Sequence, residues 1–358
     1  MKKICLIDYN MSIVGGVERV TASLANALCE FYEVHLLCLC GGESAFPLDS
    51  RVKFSVIRKE EERLSVMRKK DKPIIADYFN KNDISVAIVQ GNYPGFITSA
   101  VRFKTKTKLV FCDHGALMNQ WEKKDIVVIR LISSLLHHRT ITLTQKNMND
   151  YRKKFLISKK RLAVIPNWIS DDVAFSEEYD INSKRIISAG RFGKEKGFDM
   201  LVTAFAPVAE KHPDWHLDIY GDGEMMNTVK NLIKEYNIDS NVHLKGMCNN
   251  LAEKYKEYAM YVLPSYREGL PLVLLEAKAN RLPIVSFDIM TGPSEIMRDG
   301  VDGFLISPYD LEQMGNAICR LIEDKELRQR MSDKSQEGIE KFSKPAILKQ
   351  WRELIESF

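Results

Sequence analysis

A chain of 358 residues is too long for one ordinary core and suits two domains of roughly 150–200 residues each. Its composition, 45% hydrophobic and 28% charged, excludes extensive disorder, and no run approaches the about 18 uncharged apolar residues that a membrane span needs. The net charge of +4 hides an asymmetry. Residues 1–167 hold 28 Lys and Arg against 16 Asp and Glu, and within 51–161 the ratio is 25 to 10, which suits an anionic partner such as a membrane surface, a lipid diphosphate or nucleic acid.

In chain order, "MKKICLIDYN" opens on a strand over 3–8, because its apolar run is too short for a signal peptide and ends at Asp8. Val17, Val20, Leu24, Ala25 and Leu28 then recur at helical spacing. Further strands are expected over 33–39, 52–57, 84–90, 108–114 and 140–144, with helices beginning near Pro94 and spanning about 122–138. This is the alternation of a parallel sheet with helices on both faces. The rhythm restarts after "IPNWIS" (165–170), with strands over 184–190, 215–221, 241–246, 260–265, 282–287 and 303–307 and helices near 197–211, 224–236, 250–257 and 271–280. The pattern predicts an α/β chain of two doubly wound domains, 1–168 and 169–339, joined near 168–182 and facing each other across a cleft. A last helix over about 340–358 crosses back onto the first domain. Seven scattered cysteines without a CxxC pair read as reduced core residues of a cytosolic protein.

The chemically suggestive segments follow strands, where such sheets bind ligands. "SIVGGVERV" sets Gly15 and Gly16 between the first strand and helix without the G-x-G-x-x-G spacing, so it is either a close backbone approach to a ligand or a plain tight turn. His114, in "FCDHG", stands at a strand's carboxyl end as a catalytic candidate or a hydrogen-bonded core histidine. In "GRFGKEKGFDM", Arg191 and Lys196 flank a glycine turn before a helix. They could converge on a diphosphate or merely face water. "YGDGE" (220–224) and Gly246-Met247 also follow strands. In "YREGLPLVLLEA", Pro271 suits a first helical turn and Glu268 precedes it in the loop. Gly269 and Leu270 offer amides at the dipole-positive helix start, and Glu276 lies in the second turn. The two carboxylates thus read as separate grips on hydroxyl groups of one extended ligand rather than as an acid/base pair. The chain has no Asp-x-Asp and no histidine spacing that marks a metal, so no catalytic metal or other cofactor is expected.

"GGVER", "GRFGKEKG", "IPN", "YREGLPLVLLEA" and "TGPSEI", in this order, resemble the retaining nucleotide-sugar glycosyltransferases of family GT4, with the GT-B fold. The resemblance runs from Gly15 to about Gly303 and is strongest in the second half. It implies that Glu276 binds the ribose of the donor, that Glu268 lies near the donor sugar, and that Arg191 and Lys196 neutralise the departing diphosphate. It further implies backbone contacts at Gly16, Gly269 and Leu270, places His114 at the sugar or acceptor side, and counts Gly15 and Met247 among the donor-binding residues. UDP is the expected carrier, with GDP second. Acceptors of such enzymes are often lipid-linked saccharides, so "WEKKDIVVIRLISSLLHHR" (121–139) is either a buried helix or a segment that faces an anionic membrane through Lys123, Lys124 and Arg130, and no nucleic-acid partner is expected. A sugar phosphorylase, a nucleotide-sugar epimerase and a non-catalytic nucleotide-sugar-binding subunit are the alternatives.

Overall fold

Strands apolar on both faces, such as "KICLID", are stable only when helices cover each side of their sheet, and the connections between parallel strands must then be long crossovers. The computed structural model, which describes residues 1–169, 173, 175–248 and 250–358, shows this arrangement twice. One unit comprises Met1–Asn167 with Ile347–Phe358, the other Trp168–Ala346. The expected joint near 168–182 falls partly outside the described residues, at 170–172 and 174.

The first unit holds a parallel sheet of β1 (Lys3–Asp8), β2 (Glu33–Cys38), β3 (Lys53–Val56), β4 (Val86–Gln90), β5 (Lys108–Asp113), β6 (Arg139–Thr142) and β7 (Leu162–Val164). Their order across the sheet is β3-β2-β1-β4-β5-β6-β7. The crossovers carry α1 (Gly16–Leu28), α2 (Leu64–Asn82), α3 (Asn92–Thr98), α4 (Lys124–Leu136) and α5 (Gln145–Phe155). Cores form on the sheet around Ile7, Leu37, Phe79 and Val89, and around Phe111, Leu117 and Tyr151.

The second unit holds β8 (Arg185–Ala189), β9 (His216–Tyr220), β10 (Val242–Gly246), β11 (Met260–Leu263), β12 (Ile284–Phe287) and β13 (Gly303–Ile306), in the order β10-β9-β8-β11-β12-β13. Its helices are α6 (Phe198–Lys211), α7 (Met226–Glu235), α8 (Leu251–Lys254), α9 (Leu272–Ala279), α10 (Pro293–Ile296), α11 (Leu311–Glu323) and α12 (Lys325–Ser335). The terminal α13 (Lys344–Glu356) is tied to the first unit, where Lys2 Nζ donates to the Ile355 carbonyl at 2.8 Å and Tyr32 donates to Glu356 at 2.7 Å.

In each sheet the chain moves one way from its first strand and then returns to the other side. The carboxyl ends of β1 and β4, and of β8 and β11, therefore flank a crevice from which the loops diverge. All the strands expected from the sequence are present, with ends that differ by at most two residues. The pattern did not reveal β7, α2, α5, α10, α11 or α12. Of these, β7 has only three residues, α2 contains Pro73, and α5 buries only Asn147, Met148 and Tyr151.

Candidate active site

At the switch point of the second unit, Lys196 and Glu268 meet. The ammonium lies 2.7 Å from Glu268 Oε1, which also accepts from the Ser265 hydroxyl at 2.7 Å. The pair is largely shielded, with Lys196 22% and Glu268 11% exposed. Local backbone geometry brings Lys196 there. Gly197 has φ +65, and a Cβ on it would lie 2.3 Å from the Pro264 carbonyl oxygen, so only glycine lets the turn 194–197 sit on the end of β11. Thr291 Oγ1 donates to the Glu268 carbonyl at 2.7 Å, which places "TGP" beneath the Glu268 loop.

Glu276 occupies a second station. It is 5% exposed on α9, and Oε2 accepts from the Tyr255 hydroxyl at 2.8 Å. Glu268 and Glu276 are thus held by different partners, on a loop and on the helix that it feeds. Pro271 precedes α9 instead of entering its first turn, and it offers no side-chain acceptor to the helix amides. Leu270 is buried and Gly269 half-buried at this helix start.

Arg191 differs from the sequence expectation. Its side chain is 76% exposed and donates to Glu195 Oε1 at 2.9 Å, so Arg191 and Lys196 each hold their own carboxylate instead of converging. Met247, exposed at the end of β10, lies on the same sheet edge but two strands from the crevice. The "YGDGE" glycines are required by the chain itself. Gly221 has φ +130, and a Cβ there would lie 1.9 Å from the Gly190 oxygen, so this loop packs directly on the one that carries Arg191.

In the first unit, α1 begins at Gly16 just beyond the end of β1. A Cβ on Gly16 would meet nothing within 4 Å, whereas one on Gly15 would meet the Glu18 carboxylate at 2.2 Å. The open side of this turn is therefore Gly16. His114, at the end of β5, shares a 2.5 Å hydrogen bond between Nε2 and Gln90 Oε1 at the end of β4. Burial pushes its imidazole down to about 4 despite the adjacent Asp113 carboxylate. It is neutral at pH 7 and acts as a hydrogen-bonding group. Because the unfolded ring titrates near 6.5, the unfolded chain binds a proton that the fold refuses, and stability must fall as pH drops from about 6.5 toward 4. Melting curves across this range should show that fall, and His114→Gln should remove about 1–2 kcal/mol of it, allowing for the partial exposure of the residue.

Asp113 anchors the "DHG" turn. It accepts from Tyr151 at 2.9 Å, from the Gly115 amide at 3.1 Å and from Arg130 at 3.2 Å. This corrects the expectation for α4. Arg130 is 1% exposed and paired with Asp113, so it is unavailable to lipid headgroups. The helix is instead packed on α3, where a Cβ on Gly95 would come within 2.9 Å of Ser133 Oγ, although Lys123 and Lys124 are exposed at its start. Sequence reading also missed Asp8, at the end of β1, which accepts from Thr21 at 2.7 Å and which burial pushes up to about 6. It missed Tyr255 and Glu195 as well. A lone acid ending a strand, or a tyrosine between elements, carries no spacing signal.

Two family models match nearly end to end. Residues 14–173 match the one described as Glycosyltransferase Family 4, and residues 171–338 the one described as Glycosyl transferases group 1. An uncharacterized glycosyltransferase of Haemophilus influenzae is 27% identical over 99% of this chain and 100% of its own. The N-acetylgalactosamine-N,N'-diacetylbacillosaminyl-diphospho-undecaprenol 4-alpha-N-acetylgalactosaminyltransferase of Campylobacter jejuni is 27% identical over 97% of both chains. In fold, Anabaena HepE, solved with UDP and glucose, superposes with a TM-score of 0.84 over 100% of both chains at 18% identity.

Proposed function

The chain belongs to the family 4 glycosyltransferases of the GT-B type, and from that premise we propose that it moves a hexose or N-acetylhexosamine from a nucleotide sugar to a saccharide or lipid-linked saccharide, with retention, forming an α-bond. UDP is the proposed carrier. The observation that carries this reading is the shielded Lys196–Glu268–Ser265 cluster at the switch point of the second unit.

An ammonium has three N–H donors, so Lys196 can keep Glu268 and still donate to a phosphate oxygen. Held in place before the reaction, it stabilises charge as the diphosphate departs. Arg191 joins it by turning from Glu195 to the phosphate. Glu268 holds hydroxyls of the donor sugar, Glu276 those of the ribose, and the amides of Gly269 and Leu270 face phosphate at the start of α9. In the first unit, Gly16 offers its open backbone to the ligand and neutral His114 hydrogen-bonds the sugar or acceptor. The acceptor's proton passes to the leaving phosphate, so no protein base is needed.

Metal independence is part of the proposal. The cations perform the neutralising role, and the two groups of metal-ligating side chains among the described residues are His212–Cys319–Glu323 and Cys29–Glu30–Asp49. The first of these starts at the C-cap of α6, near the amino edge of its sheet and opposite the crevice. No helix among the described residues is long and apolar enough to cross a membrane, and work at the inner face of the cell membrane by peripheral contact is the proposed setting.

A screen of UDP- and GDP-sugars with and without saccharide acceptors tests the reading. One UDP-sugar should give an α-linked product, with the rate changed less than about twofold by EDTA. Interconversion of the donor without any acceptor, or a strict divalent-ion requirement, would overturn it.

A further inference from the structure

In a parallel sheet every strand starts at the same edge, so the loops before β5, β6 and β7 lie side by side at the amino edge of the first unit, away from the crevice. Those loops are unusually alike. Segments 102–108, 137–139 and 152–161 hold eleven Lys and Arg and no Asp or Glu. Their closeness shows in the side chains. Arg161 donates to the carbonyls of Ser134 and Leu135 at the end of α4, at 2.9 and 2.8 Å, and also to that of His137. The His138 imidazole is pushed down to about 4, first by burial and then by Arg102, Lys108 and Arg161.

Across the same sheet edge three other cations are neutralised. Lys53 pairs with Glu33, Lys2 with Glu356, and Arg51 with Asp49 and Glu30. Among the described residues no carboxylate pairs with the eleven. Within this basic field stand two of the most exposed large apolar side chains of the unit, Phe103 at 82% and Leu156 at 85%. Phe103 carries Arg102 over its ring, and Leu156 follows the Arg152-Lys153-Lys154 turn of α5.

We infer that the amino edge of the β5–β6–β7 sheet is the face by which this protein docks on an anionic lipid bilayer, with Phe103 and Leu156 entering the interface between headgroups and acyl chains. Lysines and arginines without a carboxylate partner are attracted to an anionic surface, and apolar tips flanked by them gain only where hydrocarbon is within reach. A soluble polyanion would use the charge and leave both tips in water. The face replaces α4, whose Arg130 is consumed by Asp113. The inference rests on the reading of a membrane-borne acceptor and assigns the surface that holds the protein at the membrane.

Flotation of the full chain with vesicles of phosphatidylcholine, or of its equal mixture with phosphatidylglycerol, tests this at low and high salt. Binding is expected only to the anionic vesicles and should weaken with salt. At about fivefold per cation, K104E/K106E/K159E/K160E should lower affinity by at least about 100-fold, and F103S/L156S by roughly tenfold. K123E/K124E, at the opposite edge, should bind as the unmodified chain does. UDP isotherms that match the unmodified chain report that the variants are folded. Equal binding to neutral vesicles, full binding by the fourfold variant, or tighter binding to heparin than to anionic vesicles would overturn the inference. Loss of donor turnover with flotation intact overturns the proposed activity alone, and the reverse pattern overturns the surface alone.

Discussion

Lys196→Ala should reduce kcat by roughly 10²–10³ while leaving the second unit folded, the loss seen when one preorganised electrostatic donor is taken from a transition state. The ammonium is held 2.7 Å from Glu268 by the chain's own groups, and Gly197 and Pro264 fix the turn that carries it. Its removal therefore deletes a charge already in place, with no loop to reorganise. Glu268 keeps its hydrogen bond from Ser265 at 2.7 Å, so the lost ion pair leaves no carboxylate without a donor. Steady-state kinetics separates the effect. A transition-state role lowers kcat with KM little changed, and Lys196→Arg should recover part of the rate because its guanidinium keeps the charge. A kcat within about threefold of the unmodified enzyme would remove Lys196 from the mechanism. Glu276→Ala, by contrast, should act mainly on donor affinity, since Glu276 is placed as a grip on the nucleotide.

The largest expected loss of stability comes from a pair that supports this site without touching it. Asp302→Ala should destabilise the second unit by about 3–5 kcal/mol, a drop of roughly 10 °C in Tm. Lys278 lies on α9, two residues beyond Glu276. Its ammonium donates to Asp302 Oδ2 at 2.7 Å, and both side chains are wholly buried. Asp302 also accepts from the Arg298 amide at 2.8 Å. Burial pulls the Lys278 ammonium below its usual range, with Asp302 opposing that shift. Without Asp302, a buried cation remains that must either stay unpaired or lose its proton. The double variant Lys278→Met/Asp302→Asn should recover more than half of the loss, because it removes both charges, nearly keeps the volume and leaves an amide oxygen for the Arg298 N–H. Thermal melts of the two variants check this. An Asp302→Ala chain within about 1 kcal/mol of the original would show that water reaches the site.

Both predictions concern partners of the segment most legible in the sequence, and they show where legibility ends. "YREGLPLVLLEAKA" announced a loop feeding a helix, and Glu268 and Glu276 stood out because carboxylates are conspicuous in an apolar run. Lys278 did not stand out. On a helix buried on every side no polar face tells which charge points outward, and its partner Asp302 is 24 residues away. The same holds for Arg130. In "IVVIRLISSLL" it reads as the one cation of an apolar surface helix, yet Asp113, 17 residues earlier, takes it inside.

What the sequence determined by itself is whatever depends on neighbours along the chain. Apolar runs of four to six residues alternating with helical spacing dictate two parallel sheets. Glycines, prolines and charges placed where runs stop mark the loops at the strands' carboxyl ends. The tertiary structure decided everything that depends on a partner distant in sequence. It chose Glu268 for Lys196, Glu195 for Arg191, Gln90 for His114 and Asp113 for Arg130, and it gathered the basic loops at one edge of a sheet. Periodicity is local because backbone hydrogen bonding repeats over a few residues. The pairing of buried charges is not, because it follows from which groups lose water together once the sheets have formed.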